Sequence, residues 1–389
     1  MELNQDILNI EDSNEFFTAS KLVKEYKEKN PDKKVVSLGI GDVSKPIIKP
    51  VIEAMHKAVD DQAKMETFKG YGPSHGYDFL KETILKNNYK DFSFSKDEIY
   101  ISNGTKTDTT SILELFSINS KICIINPCYP IYKNGAQALN RKVYFITATE
   151  EDSFIAKIPK EHYDIIYLCN PNNPLGIAYD YDYLKKWVDY ANKHKSVILY
   201  DNAYFNFITS SNVPKSIYEI DDAKNVAIEF RSFSKGISFT GVRCSFFVIP
   251  NQICDGINEA WKKRTINRFN GADYIAQKGA EAAYLPESQE IIKDNISSYM
   301  RNVKTLKDFF TSLGFAVYGG TDSPFLWVKI KEQMTSWELF DFYLKELNVV
   351  ITPGIIFGKE GDGFIRISGL ASNEVITEAI ERLRKYYEK

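Results

Sequence analysis

At 389 residues the chain exceeds what one simple hydrophobic core supports and suits a large domain with a smaller companion. Hydrophobic residues make up 43% and charged residues 26%, and the net charge of −3 offers no basic field for nucleic acid, which points to small-molecule chemistry. No apolar run reaches bilayer length, so no membrane partner is expected. Met1-Glu2-Leu3-Asn4 lacks the basic and apolar stretches of a leader, so a cytoplasmic location is expected.

The chemistry-bearing residue types narrow the field further. Five cysteines (Cys123, Cys128, Cys169, Cys244 and Cys254) form no Cys-x-x-Cys pair and are expected as buried free thiols. His56, His75, His162 and His194 lack metal-ligand spacing, so no metal is expected.

Short β-branched runs alternate with amphipathic stretches between about Glu98 and Ile249, the pattern of an open α/β sheet. The first run, Ile99–Ser102, ends in Asn103-Gly104-Thr105-Lys106. There a helix opens, its backbone N–H groups can hold phosphate, and Lys106 adds charge. The second, Lys121–Ile125, leads into Asn126-Pro127-Cys128-Tyr129, whose tyrosine would stack on an aromatic ligand or serve as core. Lys142–Phe145 follows, then Asp164–Leu168 with the turn Asn170-Pro171-Asn172-Asn173-Pro174-Leu175-Gly176, whose prolines fix the chain and leave amide side chains for a cleft.

Tyr181–His194 has helical period, with Tyr183, Leu184, Trp187, Val188 and Ala191 on one face. Ser196–Tyr200 ends in Asp201, with Tyr204 three residues on. Asp201 reads either as a helix N-cap or as the carboxylate that keeps a pyridine nitrogen protonated. Val226–Phe230 runs into Arg231-Ser232-Phe233-Ser234-Lys235, and Cys244–Ile249 completes a seven-stranded core after Gly241-Val242-Arg243. Lys235 sits between hydroxyls and a guanidinium. It is either an exposed lysine in a Ser-rich turn or the amine that forms a Schiff base with pyridoxal 5′-phosphate (PLP), with Ser232, Ser234 and Arg243 on the phosphate.

All these motifs fall just after strand ends, where ligands bind in open α/β sheets. Tyr204 and Asn173 would donate to the ring's phenolic oxygen, and Thr105 and Lys106 would join the phosphate cup. After about Ser297 come a helix, a β-type run at Phe325–Ile330, a helix from Ser336 to Leu347 and a last helix from Ser372 to Tyr387. This reads as a smaller α/β domain, residues 298–389, joined by an N-terminal segment, residues 1–47, around a large domain of residues 48–297.

Asn170–Gly176, Asp201-x-x-Tyr204, Ser232-x-Ser234-Lys235 and Arg243 resemble, in order and over almost the whole chain, the fold-type I, class I/II aminotransferases. Gly39-Ile40-Gly41-Asp42, Gly70-Tyr71-Gly72-Pro73, Glu229–Lys235, Phe239-Thr240-Gly241, Phe269-Asn270-Gly271, Leu326-Trp327-Val328 and Ile351-Thr352-Pro353-Gly354 resemble the LL-diaminopimelate branch. The resemblance implies an aspartate aminotransferase-like fold and a homodimer with shared active sites. Tyr71 would reach the partner's phosphate and Asn270 the partner's substrate pocket, with Gly41 lining the substrate site. Arg366 would hold the substrate α-carboxylate, its alternative being a surface ion pair. Lys235 would carry the cofactor and then move the Cα proton, with Asp201 and Tyr204 as its catalytic companions.

Two stretches depart from the branch. Ser74-His75 stand where an acidic residue usually meets a distal ammonium, and Glu15-Phe16-Phe17 replace a Tyr-Leu-Phe stretch. Either the loops vary neutrally, or Ser74 and His75, with Lys106 and Arg264 or Arg268, favour a distal anion. Amino transfer is the expected reaction. The alternatives are α-decarboxylation of a phosphorylated amino acid such as phosphoserine, or a PLP-bound regulator without catalysis.

Overall fold

The computed structural model describes residues 3–8, 14–39 and 41–388. Met1 and Glu2, Ile40 of the Gly39–Asp42 motif and the side chains of Glu15 and Phe16 lie outside the described residues. A short strand β1 (Val36–Ser37) precedes the seven that build the main sheet: β2 (Ile99–Ser102), β3 (Ile122–Asn126), β4 (Val143–Thr147), β5 (Ile165–Cys169), β6 (Val197–Asp201), β7 (Ala227–Ser232) and β8 (Ser245–Val248). Their order is β2-β8-β7-β6-β5-β3-β4, and β8 alone runs antiparallel to its neighbours. The fold is therefore α/β with a seven-stranded, mostly parallel sheet.

Alternation along the strands builds two cores. Ile99, Ile101, Cys123, Ile125, Ile166, Leu168, Ile198 and Tyr200 face one side. Tyr100, Ile122, Ile124, Ile165, Tyr167, Leu199, Phe230 and Phe247 face the other. The helix Tyr181–His194 buries the expected face plus Tyr190, and the Asp180 carboxylate caps it by accepting from Tyr183 N–H at 2.9 Å. Four cysteines are buried, but Cys254 is exposed, because it sits in the surface turn after β8 and outside the apolar layers.

A second layer follows with β9 (Val317–Gly319), β10 (Phe325–Lys329), β11 (Val349–Val350), β12 (Thr352–Pro353) and β13 (Phe364–Ser368). The antiparallel order is β12-β13-β10-β9, while β1 pairs in parallel with β11 and so ties the N-terminal segment to this layer. The change of character expected near Ser297 falls inside one continuous helix, Pro286–Ser312. Ile292, Ile296 and Tyr299 of that helix enter the first of the main-sheet cores, and Val303, Leu306, Phe309 and Phe310 enter a separate core under the second layer. One rigid rod thus couples the two cores. The helix expected to Leu347 is α-helical over Ser336–Phe342 and continues as a π-helix over Tyr343–Leu347. No helix among the described residues is long and apolar enough to cross a membrane.

The Asn170–Gly176 turn is pinned to the second layer. Gly176 has φ +68°, its carbonyl accepts from Gly320 N–H at 3.0 Å, and a Cβ there would stand 2.0 Å from the Phe325 carbonyl oxygen. Gly176→Ala should therefore cost about 2 kcal/mol or more of unfolding free energy in urea titration, whereas an unchanged midpoint would show that this contact is not rigid.

Candidate active site

The carboxyl ends of β5, β6 and β7 open on one cavity of about 420 Å³. Ligand pockets span roughly 300 to 1,000 Å³, so it suits a small organic cofactor with its substrate. Gly41, Thr105, Lys106, Tyr129, Asn173, Asp201, Tyr204, Ser232, Ser234, Lys235, Arg243 and Arg366 all line it, although they come from positions 41 to 366. Topology makes this convergence: most of these residues leave the same edge of the main sheet, while Gly41 and Arg366 reach it from the N-terminal segment and the second layer.

Asp201 ends β6 and is buried. Its Oδ2 accepts from the Tyr132 hydroxyl at 2.6 Å, while its Oδ1, also buried, has no hydrogen-bond partner. Burial raises the carboxyl to about 6, against the opposing bonds from Tyr132 and the backbone N–H of Ala203, so it is largely ionised at neutral pH. It caps no helix, since the next element is the 3-10 turn Phe205–Phe207 with Tyr204 at its cap position. A buried ionised oxygen lacking a donor is costly unless a cationic N–H meets it, and a protonated pyridine nitrogen satisfies that need.

Lys235 lines the cavity, and its amine donates to the Gly41 carbonyl. Burial lowers it to about 8, against the pull of Asp42 and with the help of Arg366 and Arg243. A lysine in that range is readily a neutral nucleophile. Arg243, at φ +68°, donates to Ser234 Oγ at 3.3 Å and to the Thr240 carbonyl at 3.2 Å. Its guanidinium lies against Gly104, where any Cβ would be 2.2 Å from Nη2. Ser232 Oγ accepts from Ser234 N–H at 3.1 Å. Ser232, Ser234, Thr105 and the Arg243 guanidinium, together at one end of the cavity, are the groups that a phosphate dianion requires.

Arg366, on β13, is buried instead of forming a surface ion pair. Its Nη1 donates to Asn173 Oδ1 at 2.7 Å and its Nη2 to the Gly39 carbonyl at 2.9 Å. Phe325 and Phe357 stack against the guanidinium, at 4.5 and 4.9 Å from its centre. Because Asn173 gives its oxygen to Arg366, its amide nitrogen is left to donate into the cavity.

Some expected partners sit elsewhere. Within the Asn turn only Asn173 lines the cavity. Asn170 Oδ1 accepts from Tyr179 N–H at 2.7 Å and Asn172 Oδ1 from Leu175 N–H at 3.1 Å, so both hold the turn together. Ser74 and His75 do not line it, and neither do Tyr71 and Asn270, which are expected at a partner's cavity. Tyr71 is 93% exposed, and Ser74 borders a separate cavity of about 130 Å³ with Arg264 and Arg268.

The anion receptor expected from those residues is corrected on two counts. Arg264 and Arg268 are already ion-paired with Glu114, at 3.1 and 3.4 Å. His75 packs edge-on against Tyr100, and its pKa is lowered by burial and by Lys81 and Lys262, so it is a neutral ring. Tyr132 was missed. Its signal in the sequence is its place in the first turn of the helix Ile131–Ala138, which opens just after Tyr129, past the end of β3.

Residues 33–383 match the family described as aminotransferase class I and II. An LL-diaminopimelate aminotransferase of Agathobacter rectalis is 42% identical over 400 residues, covering 98% of this chain and 99% of that protein. One from Azobacteroides pseudotrichonymphae is 42% identical over 398 residues, covering 100% and 99%. Among solved structures, L,L-diaminopimelate aminotransferase from Chlamydomonas reinhardtii superimposes with a TM-score of 0.90 at 35% identity, covering 96% of this chain and 95% of that one. Fold, cavity and sequence agree that the chain belongs to the class I and II aminotransferases, enzymes of the transferase class that use pyridoxal 5′-phosphate.

Proposed function

We propose that this aminotransferase moves the α-amino group of an amino acid with a distal anionic group to a 2-oxo acid. The observation that carries the reading is the charge of the cavity wall: Lys106, Lys235, Arg243 and Arg366 line it, and Asp201 is the one carboxylate among its described lining residues. Three of those cations have evident partners in this reading. Arg243, with Ser232, Ser234, Thr105 and Tyr71 of a second subunit, holds the cofactor phosphate, Lys235 binds the cofactor covalently, and Arg366 with Asn173 takes the substrate α-carboxylate. Lys106 stands at the edge of the cup and is left for a second anion on the substrate.

LL-diaminopimelate has a second carboxylate, and the relatives above carry its name. Its distal ammonium also needs a negative neighbour. Ser74-His75 supply none, and Glu114 is already committed to two arginines. A dicarboxylic substrate without the distal ammonium therefore fits this chain better.

When bound, the cofactor supplies an electron sink for a substrate carbanion. Asp201 keeps its ring nitrogen protonated, Tyr132 keeps Asp201 ionised and aimed, Tyr129 stacks on the ring, and Tyr204 with Asn173 donates to the phenolic oxygen. The Lys235 amine would move the Cα proton. Arg366, bonded through both terminal nitrogens and packed between two aromatic rings, anchors the α-carboxylate against departure, which favours amino transfer over decarboxylation. The exposed Met65, Phe68 and Tyr71 form an apolar edge that a second copy of the chain would cover, giving a homodimer.

Comparing 2-aminopimelate with LL-diaminopimelate isolates the distal ammonium. The expected kcat/KM favours 2-aminopimelate by roughly tenfold, the cost of an unpaired charge, and a tenfold preference for diaminopimelate would overturn the substrate reading. Lys106→Ala should raise KM for dicarboxylic amino acids by about tenfold and leave norleucine nearly unaffected. Tyr132→Phe removes the donor that lowers the Asp201 pKa. The acidic limb of the kcat profile should shift to higher pH with kcat reduced about tenfold, and an unmoved limb would remove Tyr132 from this role.

A further inference from the structure

Behind the phosphate cup lies a buried oxygen cluster that the reaction itself does not use. Asp108, on the helix Thr105–Ser111, is 4% exposed and lies against Ser102 at the end of β2 and Ser245 at the start of β8. Ser102 Oγ is 2.5 Å from Asp108 Oδ2, Ser245 Oγ is 3.0 Å from the same oxygen, and the two hydroxyls are 2.6 Å apart. Gly104 N–H donates to Ser245 Oγ at 2.8 Å. Gly104 is also the backbone pressed against the Arg243 guanidinium, and Ser245 follows Arg243 by two residues. The cluster therefore holds both edges of the cup.

Counting protons fixes its state. Three oxygens make three mutual contacts, and the two serines supply two hydroxyl protons. With Asp108 ionised, one contact is left as two facing lone pairs. With Asp108 protonated, each contact has its hydrogen and Ser245 still accepts from Gly104. We propose that Asp108 is a positioning acid whose proton closes this ring and so sets Gly104 and Arg243 for the cofactor phosphate.

The surroundings agree. Burial raises the carboxyl to about 7 despite its bonds to Ser102 and Ser245. Arg264, shared with Glu114, pulls it down, and Asp201 across the sheet pushes it up. Cys244, the neighbouring thiol, is itself pushed up by burial. A raised carboxyl pKa means that the neutral form is kept at low pH and lost as pH rises through the folded value. Cofactor affinity should then fall on the alkaline side, since a dianion binds best to the protonated cluster.

This inference rests on the placement of the phosphate beside Arg243. The test is the Kd for pyridoxal 5′-phosphate, measured by protein fluorescence from about pH 6 to about pH 9, for the wild type, Asp108→Asn, Asp108→Ala and Arg243→Ala. The asparagine variant keeps a neutral donor and acceptor, and titrations of Lys235 and the cofactor cancel in its ratio to wild type. The wild-type Kd should rise at least about tenfold more over this range than that of Asp108→Asn, and Asp108→Ala should bind weakly throughout. Parallel pH profiles for wild type and Asp108→Asn would overturn the inference while leaving the cup intact. An Arg243→Ala variant with unchanged affinity would overturn the phosphate placement itself.

Discussion

The whole site depends on one buried carboxylate oxygen that the chain itself does not satisfy. Asp201 Oδ1 is sealed at the end of a central parallel strand, and the fold spends a tyrosine hydroxyl and a backbone N–H on the ionised group without pairing that oxygen. Such an arrangement is stable only with a cationic donor opposite it. The protonated ring nitrogen of pyridoxal 5′-phosphate would supply that donor, and in the proposed reading cofactor binding and catalytic power follow from the same electrostatic requirement.

The rest of the site follows from where the strands end. β5 delivers Asn173, β6 delivers Asp201 and Tyr204, β7 delivers Ser232 to Lys235, and β2 delivers Thr105 and Lys106. Arg366 comes from the second layer, yet its bonds to Asn173 and to the Gly39 carbonyl join it to the turn after β5 and to the N-terminal segment. The side chain proposed to bind the substrate carboxylate thus also docks the two layers. The continuous helix from Pro286 to Ser312, rooted in both cores, keeps that docking rigid.

Much of this was legible in the sequence, for physical reasons that can be named. The seven strands announced themselves because a sheet covered on both faces needs near-continuous apolar runs, and the residues that gather at the cavity did so because they sit at the ends of those runs. The second tier was not legible. Whether Asn170 and Asn172 face the ligand or hold their own turn depends on side-chain direction, which composition does not encode. The arginines at 264 and 268 looked available until Glu114, 150 residues from the first of them, was seen to bind both. His75 reads as a potential cation from its type alone, and burial, with its neighbours Lys81 and Lys262, lowers its pKa and keeps it neutral. Long-range partners decide such cases.

The central claim is that Asp201 holds the cofactor's ring nitrogen in its protonated form. It is tested most directly by nitrogen-15 magnetic resonance on enzyme reconstituted with ring-labelled pyridoxal 5′-phosphate, comparing the wild type with Asp201→Asn. The account predicts a pyridinium shift in the wild type well into the alkaline range and a neutral-pyridine shift in the variant. A neutral ring nitrogen in the wild type, or the same shift in both proteins, would contradict it.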